Sequence, residues 1–572
     1  MRRLSLVCGA LCTAIFFVDA AAQTPPADLD NQQLLRQQER ESQLRQQLES
    51  RSDVRLQPPA AAPVPRFPTD ESPCFIVKHI ALTGEMADRF TNLVDSASRA
   101  SDGSEDPIEG RCIGTTGIGI AIRRMQNELV RRGYVTTRVL AGPQDLTQGV
   151  LTVTLIPGRV RAIRFASGSS PRATMWNAMP LQPGDLLNLR AIEQALENFK
   201  RVPSADADIR IEPATGEHAR PGDSDLIVQW HQDFPFRVNL SADNSGLAST
   251  GRYQGALTLS YDHALTLNDL FYVSVNHSLF AQSPAPRGTN GDTFHYSLPF
   301  GDWLLGATVS NSHYRQPVAD QNGTTIYSGD SANQELRLSR ILARDATRKT
   351  TGYLSVWARQ SSNYAGDLEI SVQRRRTGGW EAGLAHRELI GAATLDLNAG
   401  YRHGTGAFGN SHLTNESTEG SARPQLLQLG ALYNLPFALD HQRLRYTLAL
   451  RAQQAWKALL AQDRFSIGSR FSVRGFDEQR VLSADGGWLV RNDLGLSLGG
   501  SGQEVYLGVD YGEVRGRHSE QLAGKHLAGL AIGIRGSAYG LAYDLFAGRA
   551  LSAPQGFYSR RPNLDFSVSW SF

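Results

Sequence analysis

After Val18 the chain has no apolar run approaching the roughly 18 to 20 residues that a membrane-crossing helix needs. A membrane span, if there is one, must therefore be a closed β-barrel. An excess of charge is lacking too. With 58 Lys and Arg against 56 Asp and Glu, the net charge of +2 gives no reason to expect nucleic acid or an acidic substrate. There is no G-x-x-x-x-G-K-[ST] stretch, no H-E-x-x-H, and no Cys/His cluster with metal-ligand spacing, so no cofactor or metal is expected. Gly117-x-Gly119 fails the dinucleotide fingerprint because Ile stands at 122. The one G-x-S-x-G, Gly495 to Gly499, lies in an alternating stretch and lacks the strand-to-helix elbow of a hydrolase nucleophile. No enzymatic activity is expected on these grounds.

Cysteine is scarce as well, and two of the four, Cys8 and Cys12, fall in the N-terminal stretch. That stretch reads as a signal peptide over residues 1–22. Arg2 and Arg3 precede the apolar run Leu4 to Val18, and Ala20-Ala21-Ala22 follows as a small-residue cleavage site. A retained membrane helix is the alternative, for which the run is short. Cys74 and Cys112 remain, and in an exported chain they read as one disulfide, with two buried thiols as the alternative. Neither lies in a C-x-x-C pattern, so the bond is expected to be structural.

What is present is abundant Gly, 54 residues, with 8 % aromatics and 20 % charged residues, a mixture that suits a β-rich, turn-rich chain. Four regions follow the signal. Residues 28–57 hold Leu34, Leu35, Leu44 and Leu48 among Gln, Arg and Glu, with neither Gly nor Pro. This is a helix candidate that is polar nearly all round, so unsuited to a core, and a solvated or disordered segment is the alternative. Residues 58–73 repeat Pro and Ala and read as an extended linker.

Residues 74–158 and 159–233 read as two α/β units of similar plan. The first has strands at Phe75 to Thr83, Tyr134 to Leu140 and Val150 to Ile156, with a helix from Ile118 to Arg132 that Gly133 stops. The second has strands at Val160 to Phe165, Ala207 to Ile211 and Asp225 to Trp230, with a helix from Leu189 to Phe199.

Residues 234–572 alternate apolar and polar in segment after segment. The last is the sharpest, with Leu564, Phe566, Val568, Trp570 and Phe572 alternating with Asp565, Ser567, Ser569 and Ser571. A soluble sandwich alternates too. Here Arg and Asp line one face and aromatics the other, as expected for a lipid-facing exterior around a polar lumen. At roughly 20 residues per strand and loop, this length holds about 16 strands. The fold class is therefore mainly β, a transmembrane β-barrel preceded by two α/β units and an N-terminal helix.

At this point the chain resembles the two-partner secretion transporters, the TpsB proteins of the haemolysin and filamentous haemagglutinin secretion-activation type. The resemblance rests on Ser72-Pro73-Cys74-Phe75, Arg132-Gly133-Tyr134-Val135-Thr136-Thr137-Arg138, Gln144-Asp145-Leu146, Pro157-Gly158-Arg159-Val160 and Arg201-Val202-Pro203-Ser204-Ala205-Asp206-Ala207. In the last region it rests on Asp243-Asn244-Ser245-Gly246, Thr250-Gly251 and Val473-Arg474-Gly475-Phe476. It implies that the α/β units are periplasmic POTRA domains and that the barrel has sixteen strands. It implies that the helix plugs the lumen. It also implies a secreted TpsA-type partner exoprotein, residence in outer-membrane lipid, insertion by the barrel-assembly machinery, and Phe572 as a C-terminal assembly signal.

The long connection 458–485 carries Arg474, and the resemblance implies that this loop folds back into the barrel. Asp510 lies in Gly508-Val509-Asp510-Tyr511-Gly512, where alternation turns Val505, Leu507, Val509 and Tyr511 to lipid and Asp510 to the lumen. The family pattern pairs Arg474 with Asp510, with Gly508 and Gly512 leaving room for the loop. A solvated Arg474 and a pore-lining Asp510 are the plain alternative. Two rival functions are a barrel-assembly or insertion factor of the same superfamily, and a passive porin or adhesin.

Overall fold

The computed structural model describes residues 26–49, 53–57, 63–217, 219–280, 287–320, 323–409, 420–477, 480–555, 557 and 562–572. The signal-peptide reading, residues 1–22, lies outside them, as do residues 58–62 of the linker.

The N-terminal helix α1 runs Pro26–Leu48, starting and ending earlier than the composition suggested. Residues 53–57 are extended because their backbone bonds elsewhere, as detailed below. The Pro/Ala segment is more than a spacer. Val64 and Phe67 are buried in the core of the first α/β unit, and the Arg124 guanidinium lies 4.4 Å over the Phe67 ring.

In the first unit His79–Gly84 pairs parallel with Val150–Ile156, which pairs antiparallel with Arg138–Leu140. Helix α2, Thr115–Arg131, lays Ile120, Met125 and Leu129 against Val139, Leu151 and Val153. The strand expected from Phe75 to Thr83 is broken. Phe75–Ile76 pairs with Cys112–Ile113, the Lys78 amide then turns to the Gly149 carbonyl, and His79 opens a different pairing. Only the end of Tyr134 to Leu140 is strand. The Tyr134 amide bonds the Leu129 carbonyl and that of Gly133, at φ 93°, bonds Val130, so these residues terminate the helix in a Schellman turn. A 3₁₀ segment, Ala87–Ser98, which periodicity did not reveal, buries Phe90 and Leu93 in the same core.

The second unit has Ser224–Gln232 between parallel Val160–Phe165 and antiparallel Ala205–Pro213. Helix α3, Leu189–Phe199, packs Ile192, Leu196 and Phe199 under them. This unit sits on the barrel rim. Asn198 Nδ2 donates to the Gly301 carbonyl at 2.8 Å, the Gly301 amide donates to Asn177, and Arg172 reaches the His263 carbonyl at 2.8 Å.

Residues from Phe236 onward roll into a closed antiparallel barrel. Among the described residues sixteen strands form the wall, from Phe236–Asp243 to Asn563–Ser571, and the two-residue strand Leu368–Glu369 lies beside them at one edge. The alternation sorts the faces. Leu259 is 50 % exposed while its neighbours Thr258 and Ser260 are buried, and Leu507 and Val509 point out while Asp510 is 1 % exposed. The seam between the last and first strands, Ser567↔Asp243 to Ser571↔Asn239, is the shortest of the wall junctions.

Candidate functional site

Two elements fill the bore. The first is α1, which meets the wall mainly through polar side chains, while Leu44 and Leu48 near its end pack on the cluster that contains Leu270 and Tyr272. Gln33 accepts from Thr250 Oγ1 at 3.0 Å, Arg45 pairs with Glu335 at 2.8 Å, and Glu49 accepts from the Tyr272 hydroxyl at 3.3 Å. Gln33, Arg36 and Gln37 are buried there. Water can replace contacts of this kind at little cost, because it satisfies the same donors and acceptors.

The second is the loop 458–485, held quite differently. Phe465–Ile467 pairs with Leu482–Ala484 as a small hairpin. Val473 and Phe476 join these strands in an apolar cluster against Leu489, Val514 and Leu527 of the wall. Between Val473 and Phe476 the chain turns at Gly475, with φ 97°. Arg474, 2 % exposed, reaches the wall. Its Nε donates to Asp510 Oδ2 at 2.7 Å and its Nη2 to Asp510 Oδ1 at 2.7 Å, the bidentate fork that guanidinium and carboxylate geometry favour. Nη2 also donates to Asp493 Oδ1 at 2.6 Å, and Arg535 caps Asp493 Oδ2 at 3.2 Å.

The approach depends on missing side chains. A Cβ on Gly508 would lie 2.3 Å from Arg474 Nη2, and one on Gly529 would lie 1.7 Å from the Arg474 carbonyl oxygen. Gly512 faces Ile467 and Val473. Asp493 and Gly529 were not singled out by sequence. Both lie on strands that only barrel register brings beside Asp510 (Asp493↔Gly508, Asp510↔Gly529). Arg470, also in the loop, binds Asn244 Oδ1 at 3.0 Å and the Phe566 carbonyl at 2.9 Å, touching both sides of the short seam. At the other end of that seam Phe572 and Val238 exchange backbone hydrogen bonds, each 2.9 Å, while the Phe572 side chain is exposed.

Cys74 and Cys112 are joined in a disulfide that fastens the chain before Phe75–Ile76 to the entry of α2. Gly495 to Ser497 lies within the wall strand Gly486–Ser497. Among the described residues no group of His, Cys, Asp or Glu is placed to hold a metal ion.

A closed barrel with a lipid-facing exterior and a polar bore, with small α/β domains at one mouth, belongs to the class of outer-membrane β-barrel proteins. The family described as "Haemolysin secretion/activation protein ShlB/FhaC/HecB" matches residues 222–536, and POTRA domains match residues 96–158, in a ShlB-type version, and 159–213. The chain belongs to this haemolysin secretion/activation family of two-partner secretion transporters. It is 33 % identical to the outer membrane transporter CdiB-2 of Burkholderia pseudomallei over 98 % of both chains. It is 24 % identical to the hemolysin transporter protein HpmB of Proteus mirabilis over 84 % of this chain and 83 % of that one. The structure of CdiB from Acinetobacter baumannii superposes with a TM-score of 0.82 at 31 % identity, covering 96 % of this chain and all of that one. CdiB from Escherichia coli gives 0.80 at 25 %, covering 97 % of this chain and all of that one. The protein is therefore an outer-membrane transporter of the two-partner type with its N-terminal domains in the periplasm, in a family that transports TpsA-type exoproteins.

Proposed function

We propose that the exoprotein passes through the bore as an extended chain once α1 has moved aside, while the loop 458–485 stays as a fixed part of the wall. The contrast between the two lumen elements carries this reading. α1 rests mainly on side-chain hydrogen bonds and a half-buried Arg45–Glu335 pair, with Leu44 and Leu48 packed near its end, whereas the loop combines a buried apolar cluster with a buried guanidinium between two carboxylates. The first arrangement trades readily for water and the second does not.

In this reading the POTRA domains receive the unfolded client at an exposed strand edge by β-augmentation. Arg474, Asp510 and Asp493, with Gly508 and Gly512 beneath them and Val473, Gly475 and Phe476 beside them, keep the loop out of the client's path. The Cys74–Cys112 bond is structural. Residues 1–22 direct export, Phe572 serves the barrel-assembly machinery as the C-terminal signal, and the mature barrel resides in outer-membrane lipid. No catalytic step, cofactor, metal or nucleic acid takes part, and folding of the client outside makes each export event hard to reverse.

Wall parity supplies the test. A photoreactive residue at Ser274, which faces the bore, is expected to capture the exoprotein during secretion, and one at Val275, which faces lipid, is not. Capture at both positions alike, or at neither, would speak against passage through the bore.

A further inference from the structure

Residues 53–57, just beyond α1, run extended between POTRA domain 2 and the barrel rim, and their backbone is gripped from both sides. The Val54 amide donates to Glu197 Oε1 at 3.2 Å and the Leu56 amide to Glu193 Oε1 at 2.7 Å, from two carboxylates one turn apart on α3. From the barrel, Arg344 Nη2 donates to the Val54 carbonyl at 2.6 Å. The same guanidinium binds Glu193 Oε2 at 3.0 Å, Glu197 Oε1 at 2.9 Å and Gln194 Oε1 at 3.1 Å. Lys349 adds a second cation on Glu197, and Arg190 one on Glu193. The Arg344 side chain is 4 % exposed and that of Glu193 is fully buried.

The bonds from Glu193, Glu197 and Arg344 use the segment's N–H and C=O groups, so these three side chains read an extended backbone, while the Arg55 side chain adds bonds of its own to the Asp345 and Ala346 carbonyls of the barrel, 3.1 Å each. The side chains of Val54 and Leu56 meanwhile pack on the core of POTRA domain 2. Withdrawal of the segment would leave two buried carboxylates short of donors and Arg344 short of an acceptor, and buried charged groups tolerate that poorly. The segment is joined to α1 through a few residues only, so α1 cannot travel far along the bore while the clamp is filled.

We propose that Glu193, Glu197 and Arg344 form a backbone-reading latch, filled by residues 54–56, that retains α1 in the bore. This rests on the reading of α1 as the element that moves, and it makes POTRA domain 2 part of the release mechanism. The test needs no client. In full-length protein in proteoliposomes, carrying Gln33→Cys as a reporter inside the bore, the rate of maleimide labelling is compared with and without the latch. Arg344→Gln removes the barrel's charged donor to the Val54 carbonyl, and Leu56→Pro removes one amide donor while leaving the barrel and α3 untouched. Each variant is expected to raise the labelling rate about tenfold, the scale of losing one hydrogen bond to a charged group. Equal rates in Leu56→Pro and the latch-intact protein, with the barrel folded in both, would overturn the latch. Should Arg344→Gln fail to assemble, Leu56→Pro decides alone. The latch-intact rate itself reports whether α1 shields position 33 at all, so failure of the latch is distinguishable from failure of the plug.

Discussion

Arg474 is bound to Asp510 through three donors at once. The fork of Nε and Nη2 is joined by the Arg474 backbone amide, which donates to Asp510 Oδ2 at 3.0 Å. One carboxylate on the wall thus fixes both where the loop backbone sits and which way its side chain points. Asp493 takes the remaining reach of the guanidinium.

Arg474→Ala therefore leaves two buried carboxylates with less cationic support, a loss of roughly 3–5 kcal/mol for a shielded pair and less where water enters. The wall strands do not depend on it. The variant is expected to reach the outer membrane as a folded, heat-modifiable barrel at normal abundance and to secrete the exoprotein poorly. Arg474→Lys is expected to restore little, since an ammonium cannot present a planar fork to one carboxylate while reaching a second. Supernatant exoprotein measured per unit of assembled barrel checks both.

Gly529→Ala is expected to impair secretion much as Arg474→Ala does. The new methyl would meet the Arg474 carbonyl oxygen, and displacing packed backbone costs about 1–3 kcal/mol. Gly119→Ala in α2, where a Cβ would meet nothing within 4 Å, serves as the matched control and is expected to secrete normally.

Acid should loosen the linker from POTRA domain 1. The Glu71 carboxylate accepts from the amides of Gly114, Thr116 and Gly117 at the start of α2, and Asp106 accepts from the Phe67 amide and Arg124. Burial pushes both carboxyls upward, but these donors outweigh it and hold both below their ordinary values. Each folded value is below the unfolded one, so the stabilisation is complete above the ordinary carboxylate range, about pH 4, and is lost as pH falls through the lowered values. Amide-exchange protection of residues 64–73 is expected to drop on acidification below that range while the barrel strands keep theirs.

Replacing both Cys74 and Cys112 by Ser opens a loop with a sequence separation of 38. The chain-entropy account puts the loss near 4 kcal/mol at most. POTRA domain 1 is expected to lose exchange protection at lower denaturant while the barrel transition stays in place.

Much of this architecture was legible because lipid and water impose opposite demands on adjacent residues. Strict alternation from Leu564 to Phe572 reveals a wall strand, and the same parity turns Asp510 inward. Helices α2 and α3 were legible too, α3 within the expected bounds Leu189–Phe199 and α2 beginning a few residues ahead of the expected start at Ile118. What sequence could not supply is proximity set by register or by a distant segment. Asp493 joins the site only because its strand pairs beside Gly508. Glu71 serves α2 from a stretch whose prolines suggested a free linker. Glu193 and Glu197 look like the solvated face of an amphipathic helix until residues 54–56 and Arg344 cover them. The end of α1 at Leu48 was misplaced because that external grip, not local propensity, holds residues 53–57 extended.

The central claim is that α1 must leave the bore for the exoprotein to pass. Gln33 and Thr250 touch at 3.0 Å across the helix–wall boundary, so Gln33→Cys with Thr250→Cys can be joined by a short bifunctional thiol reagent that a reductant cleaves. With the helix tethered, secretion is expected to stop, and to resume on cleavage in a protein whose Cys74–Cys112 pair has been replaced by Ser. Secretion at the untethered rate from quantitatively linked protein would contradict the account.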